Sequence, residues 1–397
     1  MTAETLTSDP GLKRTLAWVR ALADEIGPRR PTGAGERKAA ERIRDELTAI
    51  GIVAELERFD GYSSFFQPYA AILGVAALPG LIPRRARWLR ATVAATAALG
   101  LVTEGGFTHT PLSRMLSRRA SVNLVATLEP TGEPRHILCL VGHLDTSRSG
   151  LIFHPQVVRH LTRWISIQSA AVLVGSAEPL LACSRAGRCA LRGARAASTA
   201  GLGLLVEREL RGTDVSGAND NASGAAVAAQ LAAECVSAPL RSTRVVLLIT
   251  GCEESGLLGM QSFLRTRDTS GWLFLNFDSV GGPATLRFLR REGIFKKWGA
   301  DAGLCRIAEE LAHRRPELGL RSLSSPNSLT FDTTPVLARG GRALTFSAQD
   351  KAIPNYHWPT DTIENLDPEV IARALAAGRE VMAAIDRGDA DQRVTSS

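Results

Sequence analysis

Residues 244–256, RVVLLITGCEESG, join a buried-strand pattern to a pair of adjacent carboxylates. A short apolar run rich in branched side chains and followed by glycine predicts a strand inside a parallel sheet. Ligands of such sheets collect beyond the carboxyl ends of the strands, where Glu253 and Glu254 lie. Because a buried carboxylate is costly unless a cation compensates it, the pair predicts a metal ligand, Glu254, beside a general base, Glu253. A solvated turn is the alternative.

Short apolar runs of the same kind recur along the chain and alternate with helical patterns. Strands are expected at residues 52–59, 121–128, 136–142, 244–250, 272–277, 286–290 and 343–346, and helices at residues 12–26, 35–50, 222–237, 256–266, 301–313 and 368–386. Strands that alternate with helices form a mostly parallel sheet covered on both faces. The sequence therefore predicts an α/β fold with a mostly parallel mixed sheet sandwiched by helices in three layers.

Two long stretches, residues 61–120 and 147–214, do not follow this alternation. Each contains two apolar runs joined by an arginine-rich turn, which predicts an inserted apolar helical hairpin. Between residues 84 and 211 the chain has 17 arginines and seven acidic residues, so its basic excess is local. Arginines that flank apolar segments favour an anionic membrane surface over nucleic acid. We therefore expect membrane association through both hairpins and no nucleic-acid binding, with a soluble helical cap over the active site as the alternative.

The N-terminal segment and the cysteines are weaker indicators of the cellular compartment. The first residues show no basic segment followed by an apolar run, so no secretory signal is expected. The six cysteines lack the paired spacing of zinc ribbons and redox motifs, which predicts reduced thiols. We expect a membrane-associated protein, with a cytoplasmic one as the alternative, and the sequence predicts no oligomeric state.

The segment LVGHLDT places His143 and Asp145 directly after another buried strand. In an extended chain, residues two apart point to the same side. The carboxylate of Asp145 is therefore expected to accept a hydrogen bond from the imidazole of His143 and to fix its tautomer, as a support for a metal ligand does. A strand-end histidine followed by a turn aspartate is the alternative.

Three further segments supply one donor each. Asp220 lies in SGANDNASG before an alanine-rich helix, where a carboxylate can cap the helix or bridge two cations. Asp278 closes the apolar strand of FLNFDSVGG, and His357 lies in PNYHWPTDTIENLD. A turn-forming aspartate and a structural histidine are the alternatives. With the donors above, two imidazoles and three carboxylates suit zinc, with cobalt or manganese as substitutes. Two such ions about 3.5 to 4 Å apart would activate a water for attack on a polarised carbonyl.

The motifs GHLDT, GANDNASG, CEESG, NFDSVGG and YHWPTDT resemble those of the dinuclear-zinc aminopeptidases, metallopeptidase family twenty-eight of clan MH. The N-terminal stretch IGPRRPTGAGERKAAERIRDEL is similar to the opening of that family, and the resemblance covers most of the chain outside the hairpins. It implies a zinc-aminopeptidase-like domain. The expected division is a peptidase domain at residues 1–60, 121–146 and 215–387, hairpin insertions at residues 61–120 and 147–214, and a frayed tail at residues 388–397.

The resemblance also implies how the metals are bound. One zinc ion is held by His143 and Asp278, and the other is held by Glu254 and His357. Asp220 bridges the two ions. The implied cofactor is therefore two Zn²⁺.

Three more residues receive roles from the resemblance. Glu253 is implied as the general base, and Asp145 is implied as the partner that orients His143. Tyr356, just before the last ligand, is a candidate for stabilising the oxyanion, with a packing aromatic as the alternative. Where many relatives have Ser-Asp-His before Pro-Phe, residues 330–335 are TFDTTP, which leaves the substrate-side wall open.

The implied activity is hydrolysis of N-terminal peptide bonds in a peptide substrate, which is an aminopeptidase activity. Carboxypeptidase, dipeptidase and glutaminyl-cyclase activities on the same fold are alternatives, as is an inactive receptor-like or scaffold protein. An aminopeptidase needs an acidic or carbonyl-rich wall for the free amine, whereas a carboxypeptidase needs Arg or Lys. The sequence does not place these walls.

Overall fold

A computed structural model describes residues 9–294, 296–323 and 329–391. Its strands are β1 Ala54–Gly61, β2 Arg119–Leu128, β3 His136–His143, β4 Thr243–Thr250, β5 Leu273–Phe277, β6 Leu286–Leu289, β7 Arg291–Glu292, β8 Trp298–Gly299, β9 Arg321–Leu323 and β10 Arg342–Ala348. Its α-helices are α1 Pro10–Arg20, α2 Ala34–Ala49, α3 Phe66–Ala77, α4 Arg87–Glu104, α5 Pro111–Leu116, α6 Pro155–Val158, α7 Leu161–Ser176, α8 Glu178–Leu181, α9 Arg185–Arg211, α10 Gly224–Ser237, α11 Leu258–Thr266, α12 Ala302–Arg314, α13 Thr334–Ala338 and α14 Pro368–Asp386. Each predicted strand and helix is present with slightly different ends.

Eight of the strands form one mixed sheet in the order β1-β2-β4-β3-β5-β10-β6-β9. The four central strands β4, β3, β5 and β10 run parallel, whereas β2 and β6 flank them in antiparallel pairing. The carboxyl ends of the central strands therefore meet at one edge of the sheet, as the predicted α/β fold requires.

Alternate side chains of the central strands enter two separate cores. On β3, Leu138 and Leu140 pack in the larger cluster with helices α1, α2, α10 and α14. Cys139 and Val141 pack on the opposite face in a smaller cluster that contains Phe263 of α11. This period of two places one helical layer on each face, so the predicted three-layer arrangement is confirmed.

Helices α3, α4, α7 and α9 form a separate four-helix bundle beside the sheet edge. Each of them contacts two neighbours, so that the four close into a ring. Its core contains Ile72, Leu101, Val172 and Leu205, one from each helix. The bundle also buries an ion pair in which Arg90 Nε lies 2.6 Å from Glu178 Oε1. Whether the two hairpins are insertions into a peptidase domain stays a prediction.

The expected membrane association through these segments is wrong. Within residues 9–294, 296–323 and 329–391, no helix combines the length and the apolarity that a bilayer crossing requires. Helix α3 has 12 residues and so rises about 18 Å, against a hydrocarbon core of about 30 Å. The longest helix, α9, has 27 residues but carries arginines along its length, including the buried Arg208. Part of the apolar surface of these segments packs in the core of the bundle, whereas Trp88, Leu99 and Leu180 are among the side chains that stay exposed.

The expected frayed tail lies only partly within the described residues. Residues 389–391 form a 3₁₀ turn in which Ala390 is 4% exposed. Residues 392–397 lie outside the described residues.

Candidate metal centre

The sheet register brings the strand-end donors together. On one side of β3, His143 pairs with Thr250 of β4, three residues before Glu253. On the other side, Val141 pairs with Asn276 of β5, which places His143 next to Asp278. Two loops supply Asp220, directly before α10, and His357, after β10. The five predicted ligands therefore converge at one edge of the sheet.

The carboxylate of Asp220 lies between the two histidines. Its Oδ1 is 3.2 Å from Nε2 of His143, and its Oδ2 is 3.2 Å from Nε2 of His357. Nε2 of His143 is also 3.4 Å from Oδ2 of Asp278, and Nε2 of His357 is 2.9 Å from Oε1 of Glu254. The five residues thus form two groups of three that share Asp220, with the donor atoms of each group within 4.8 Å of one another.

These distances fit a pair of divalent cations. Tetrahedral zinc with bonds of about 2.0 to 2.1 Å separates its ligand atoms by about 3.3 Å, close to the separations seen here. Oε1 of Glu254 is buried and makes no hydrogen bond within the described part of the chain, although Nε2 of His357 is near it. A buried acceptor that faces other acceptors calls for a cation, because an unpartnered charge is costly to bury. The donor set of imidazole and carboxylate suits zinc.

The pKa values describe a strongly negative pocket. Burial acts to lower the pKa of His143, but the charge of Glu253 and the contacts with nearby carboxylates raise it well above its ordinary value. His357 behaves alike: burial opposes the shift, and the charge of Glu254 and a contact with Asp220 raise its pKa to about 9. The raised pKa values of both imidazoles thus reflect the negative charge that the carboxylates concentrate at this edge of the sheet.

Asp145 supports the centre in a way that differs from the prediction. Its carboxylate oxygen is 3.7 Å from Nδ1 of His143, too far for a hydrogen bond. The backbone carbonyl of Asp145 lies 3.0 Å from that nitrogen instead. The carboxylate accepts the backbone N–H groups of Glu253 at 3.0 Å and of Glu254 at 2.9 Å. The expected carboxylate contact is therefore wrong, because the two amides of the next loop satisfy the Asp145 carboxylate.

A glutamate from the N-terminal segment holds the same loop. Glu36, 1% exposed, accepts the backbone N–H of Cys252 and the hydroxyl of Ser121, each at 2.8 Å. Cys252 has a φ of 55°, a left-handed conformation that few residues other than glycine adopt, and it turns the chain toward Glu253. Glu36 was not predicted, and its only signal in the sequence was its place within the N-terminal stretch similar to the family opening.

Arg29 and Asp361 hold the loop that carries Asp220. The guanidinium of Arg29 is fully buried and donates to five backbone carbonyls, those of Leu22, Gly27, Leu144, Ser216 and Gly217. The carboxylate of Asp361 accepts the backbone N–H groups of Asn219 at 2.7 Å and of Asp220 at 3.1 Å. Neither residue was predicted, because each acts from a distant part of the sequence.

Asp332 is another buried carboxylate that was not predicted. It lies in TFDTTP, the segment at residues 330–335 that differs from the pattern of many relatives. One of its oxygens accepts the hydroxyl of Thr250 at 2.6 Å, and the other has no hydrogen-bond partner among the described residues. Burial raises the pKa of Asp332 to about 7, while the charge of His143 opposes the shift. Burial likewise raises the pKa of Glu253 well above its ordinary range, and Asp332 adds to that shift.

Aromatic side chains cover the His357 side of the centre. The ring of Tyr356 stacks on the His357 imidazole with centroids 3.8 Å apart. Phe153 meets the same imidazole edge to face at 4.4 Å. Tyr356, His357, Glu253 and Glu254 line one cavity of about 230 Å³, so the base and the aromatic residue face the same space.

The comparisons with known proteins agree with this fold. The sequence model described as "Peptidase family M28" matches residues 199–382, which include four of the five predicted ligands and Glu253. No curated protein matches the chain by sequence. A zinc aminopeptidase from Bacillus subtilis has a similar structure, with 16% identity, 95% of each chain covered and a TM-score of 0.56.

Two further solved structures share the fold. The aminopeptidase from Aneurinibacillus sp. strain AM-1 is 14% identical, with 94% of this chain and 93% of that chain covered and a TM-score of 0.57. The glutaminyl cyclase from Tannerella forsythia is 13% identical, with 94% and 98% covered and a TM-score of 0.53. At such identity these structures show the fold alone. Residues 199–382 thus match peptidase family M28, and the chain has the zinc-exopeptidase fold of these structures.

Proposed function

We propose that the protein is a zinc-dependent aminopeptidase that uses two zinc ions. His143 and Asp278 would hold one ion, Glu254 and His357 the other, and Asp220 both. The carboxylate of Asp220 carries the assignment, because each of its oxygens lies 3.2 Å from a different histidine. Zinc at such a site supplies polarisation of a carbonyl and acidification of water.

Glu253 acts as the general base in this proposal. It lines the cavity beside Glu254, where its carboxylate could accept a proton from the attacking water. The Asp145 carboxylate fixes the backbone of both glutamates and so keeps the base next to the ligand. Tyr356 faces the same cavity, where its hydroxyl would stabilise the developing oxyanion.

The lining of the cavity favours the amino end of a peptide over its carboxyl end. Among the described residues that line it, none is Lys or Arg. A terminal carboxylate would therefore meet no cationic side chain in this lining, which disfavours carboxypeptidase and dipeptidase activity. Glutaminyl-cyclase activity differs in its product, because it releases ammonia from an N-terminal glutamine without cleaving the peptide bond.

A pair of matched variants tests the assignment. Glu253→Gln should keep two zinc ions per chain and lose nearly all hydrolysis of aminoacyl anilides, because an amide cannot accept the proton of the attacking water. Glu254→Gln should lower the zinc content itself. Zinc content is measured by atomic absorption, and hydrolysis of the anilides is measured by release of the aniline.

Activity of Glu253→Gln within about tenfold of the parent would contradict its role as the base. If Glu254→Gln kept its full zinc content and Glu253→Gln lost zinc, Glu253 would be the ligand and Glu254 the base. Absence of zinc and of hydrolysis in the parent protein would favour the inactive receptor-like or scaffold alternative.

A further inference from the structure

The cavity at the metal centre extends into the four-helix bundle. One end is formed by Glu253, Glu254, Tyr356 and His357. More than half of the remaining lining residues belong to α3, α4, α7 and α9, and most of these are apolar. Each of the four helices contributes at least one apolar side chain to the lining, for example Ile72, Leu101, Ile165 and Leu204. The bundle therefore forms the substrate side of the site as well as its own core.

The length of this cavity exceeds what an ordinary side chain fills. Neighbouring helices pack with axes about 8 to 10 Å apart, so a cavity lined by all four and by the catalytic loop extends on the order of 10 Å. The side chain of leucine reaches only roughly 4 Å from its Cα, over three carbon–carbon bonds of about 1.5 Å.

The character of the wall restricts which part of a substrate enters. A continuing polypeptide would bring N–H and C=O groups against apolar side chains that cannot pair them. Beyond the metal centre, the polar residues of the lining are few: Tyr69, Gln168, Ser169 and Thr330. The cavity therefore suits a terminal apolar group, while the rest of the peptide leaves through the open side.

We propose that the bundle cavity binds a long, unbranched aliphatic group on the acyl side of the scissile bond. The substrate class is a peptide or amide whose terminal residue carries an alkyl chain longer than the side chain of leucine. This inference rests on the proposed aminopeptidase function, because it takes Glu253 as the base next to the scissile carbonyl. Continuity of the cavity with Glu253, Glu254 and His357 assigns the alkyl group to the acyl side.

A series of aminoacyl-4-nitroanilides with methyl, butyl, hexyl and octyl side chains tests the inference. Each methylene buried in the cavity should raise kcat/KM about fourfold, so the increase should continue through the hexyl substrate. A maximum at butyl, followed by a fall of about tenfold at hexyl, would overturn the inference. Failure to hydrolyse any member of the series, including the methyl substrate, would overturn the proposed function instead.

Two variants on the same helix separate the cavity from general effects. Leu204 lines the cavity, whereas Leu210 is 78% exposed on α9. Leu204→Trp should lower kcat/KM for the hexyl substrate by about tenfold or more and leave the methyl substrate within about twofold. Leu210→Trp should change neither value. Equal losses on both substrates in Leu204→Trp would contradict a role in binding the chain.

A binding measurement keeps the inference testable without turnover. Octylamine, whose alkyl chain ends in a methyl group, should bind the parent and Leu210→Trp with equal affinity in isothermal titration calorimetry, and Leu204→Trp about tenfold more weakly. Equal binding by all three proteins, or no binding by the parent, would overturn the inference even if the anilides are hydrolysed.

Discussion

A buried glutamate beside the substrate-side wall offers a quantitative test of the electrostatics. Glu292 is 2% exposed and accepts the hydroxyls of Thr333 and Thr334 at 2.8 Å each and of Thr345 at 3.1 Å. Burial raises its pKa from 4.5 to about 7, although these hydroxyls oppose the shift, and the charge of Asp278 adds to it. Glu292→Gln keeps the shape and removes the titrating proton.

The direction in which pH changes the free energy of unfolding follows from the pKa values of Glu292 in the unfolded and folded chains. As the pH rises past 4.5, the unfolded chain loses this proton, whereas the folded chain keeps it until about pH 7. The free energy of unfolding contributed by Glu292 therefore falls with rising pH across that window. The full difference corresponds to about 3 kcal/mol, most of which is lost between pH 5 and pH 8.

The assay is urea unfolding of the parent and of Glu292→Gln at pH 5 and pH 8, with equal zinc content. The parent should lose roughly 2 to 3 kcal/mol relative to the variant between the two pH values, because contributions of all other groups cancel in the difference. Glu310→Gln, on the exposed face of α12, is the control, and its difference from the parent should stay constant within about 0.5 kcal/mol. A constant difference for Glu292→Gln as well would refute the reasoning.

Three other predictions concern the supports of the centre and the metal. Arg29→Lys should lower the free energy of unfolding by about 3 kcal/mol in urea, because three ammonium donors cannot pair five carbonyls; an unchanged midpoint would contradict this. Asp145→Asn should lower kcat about 10- to 100-fold and retain zinc. The reason is that the Asp145 carboxylate contacts the backbone of the two glutamates, whereas the backbone carbonyl of Asp145 lies against His143. A loss of zinc in proportion to the loss of kcat would contradict this prediction. Chelation should abolish hydrolysis and added zinc should restore it, so a chelator-insensitive activity would exclude the proposed function.

The identity of the donors could be predicted from sequence because each belongs to a local pattern. His143, Glu254 and Asp278 follow buried strands whose apolar runs are visible in the chain, and Asp220 and His357 lie in distinctive loops. Parallel strands then bring these ends together, since helical connections return every strand in the same direction. Local patterns in the chain therefore suffice to predict the order of elements and the donor set.

The contacts that support these donors required the tertiary structure. Glu36 reaches Cys252 across 216 residues, and Arg29 reaches Ser216 across 187. No spacing rule links such pairs, because the fold alone decides which loop lies beside which. The same holds for Asp145, whose carboxylate bonds to a distant loop rather than to its sequence neighbour His143.

The apolar hairpins show the same division between local pattern and tertiary packing. The sequence indicated apolar helical segments with arginine-rich turns, but it could not tell whether lipid or protein covers them, because hydropathy averages a segment without recording its neighbours. In the folded chain α3, α4, α7 and α9 pack on one another along one face of each helix, and a cavity between them opens at the metal centre. The sequence indicated which side chains could bind metal, whereas packing over long separations decided what surrounds them.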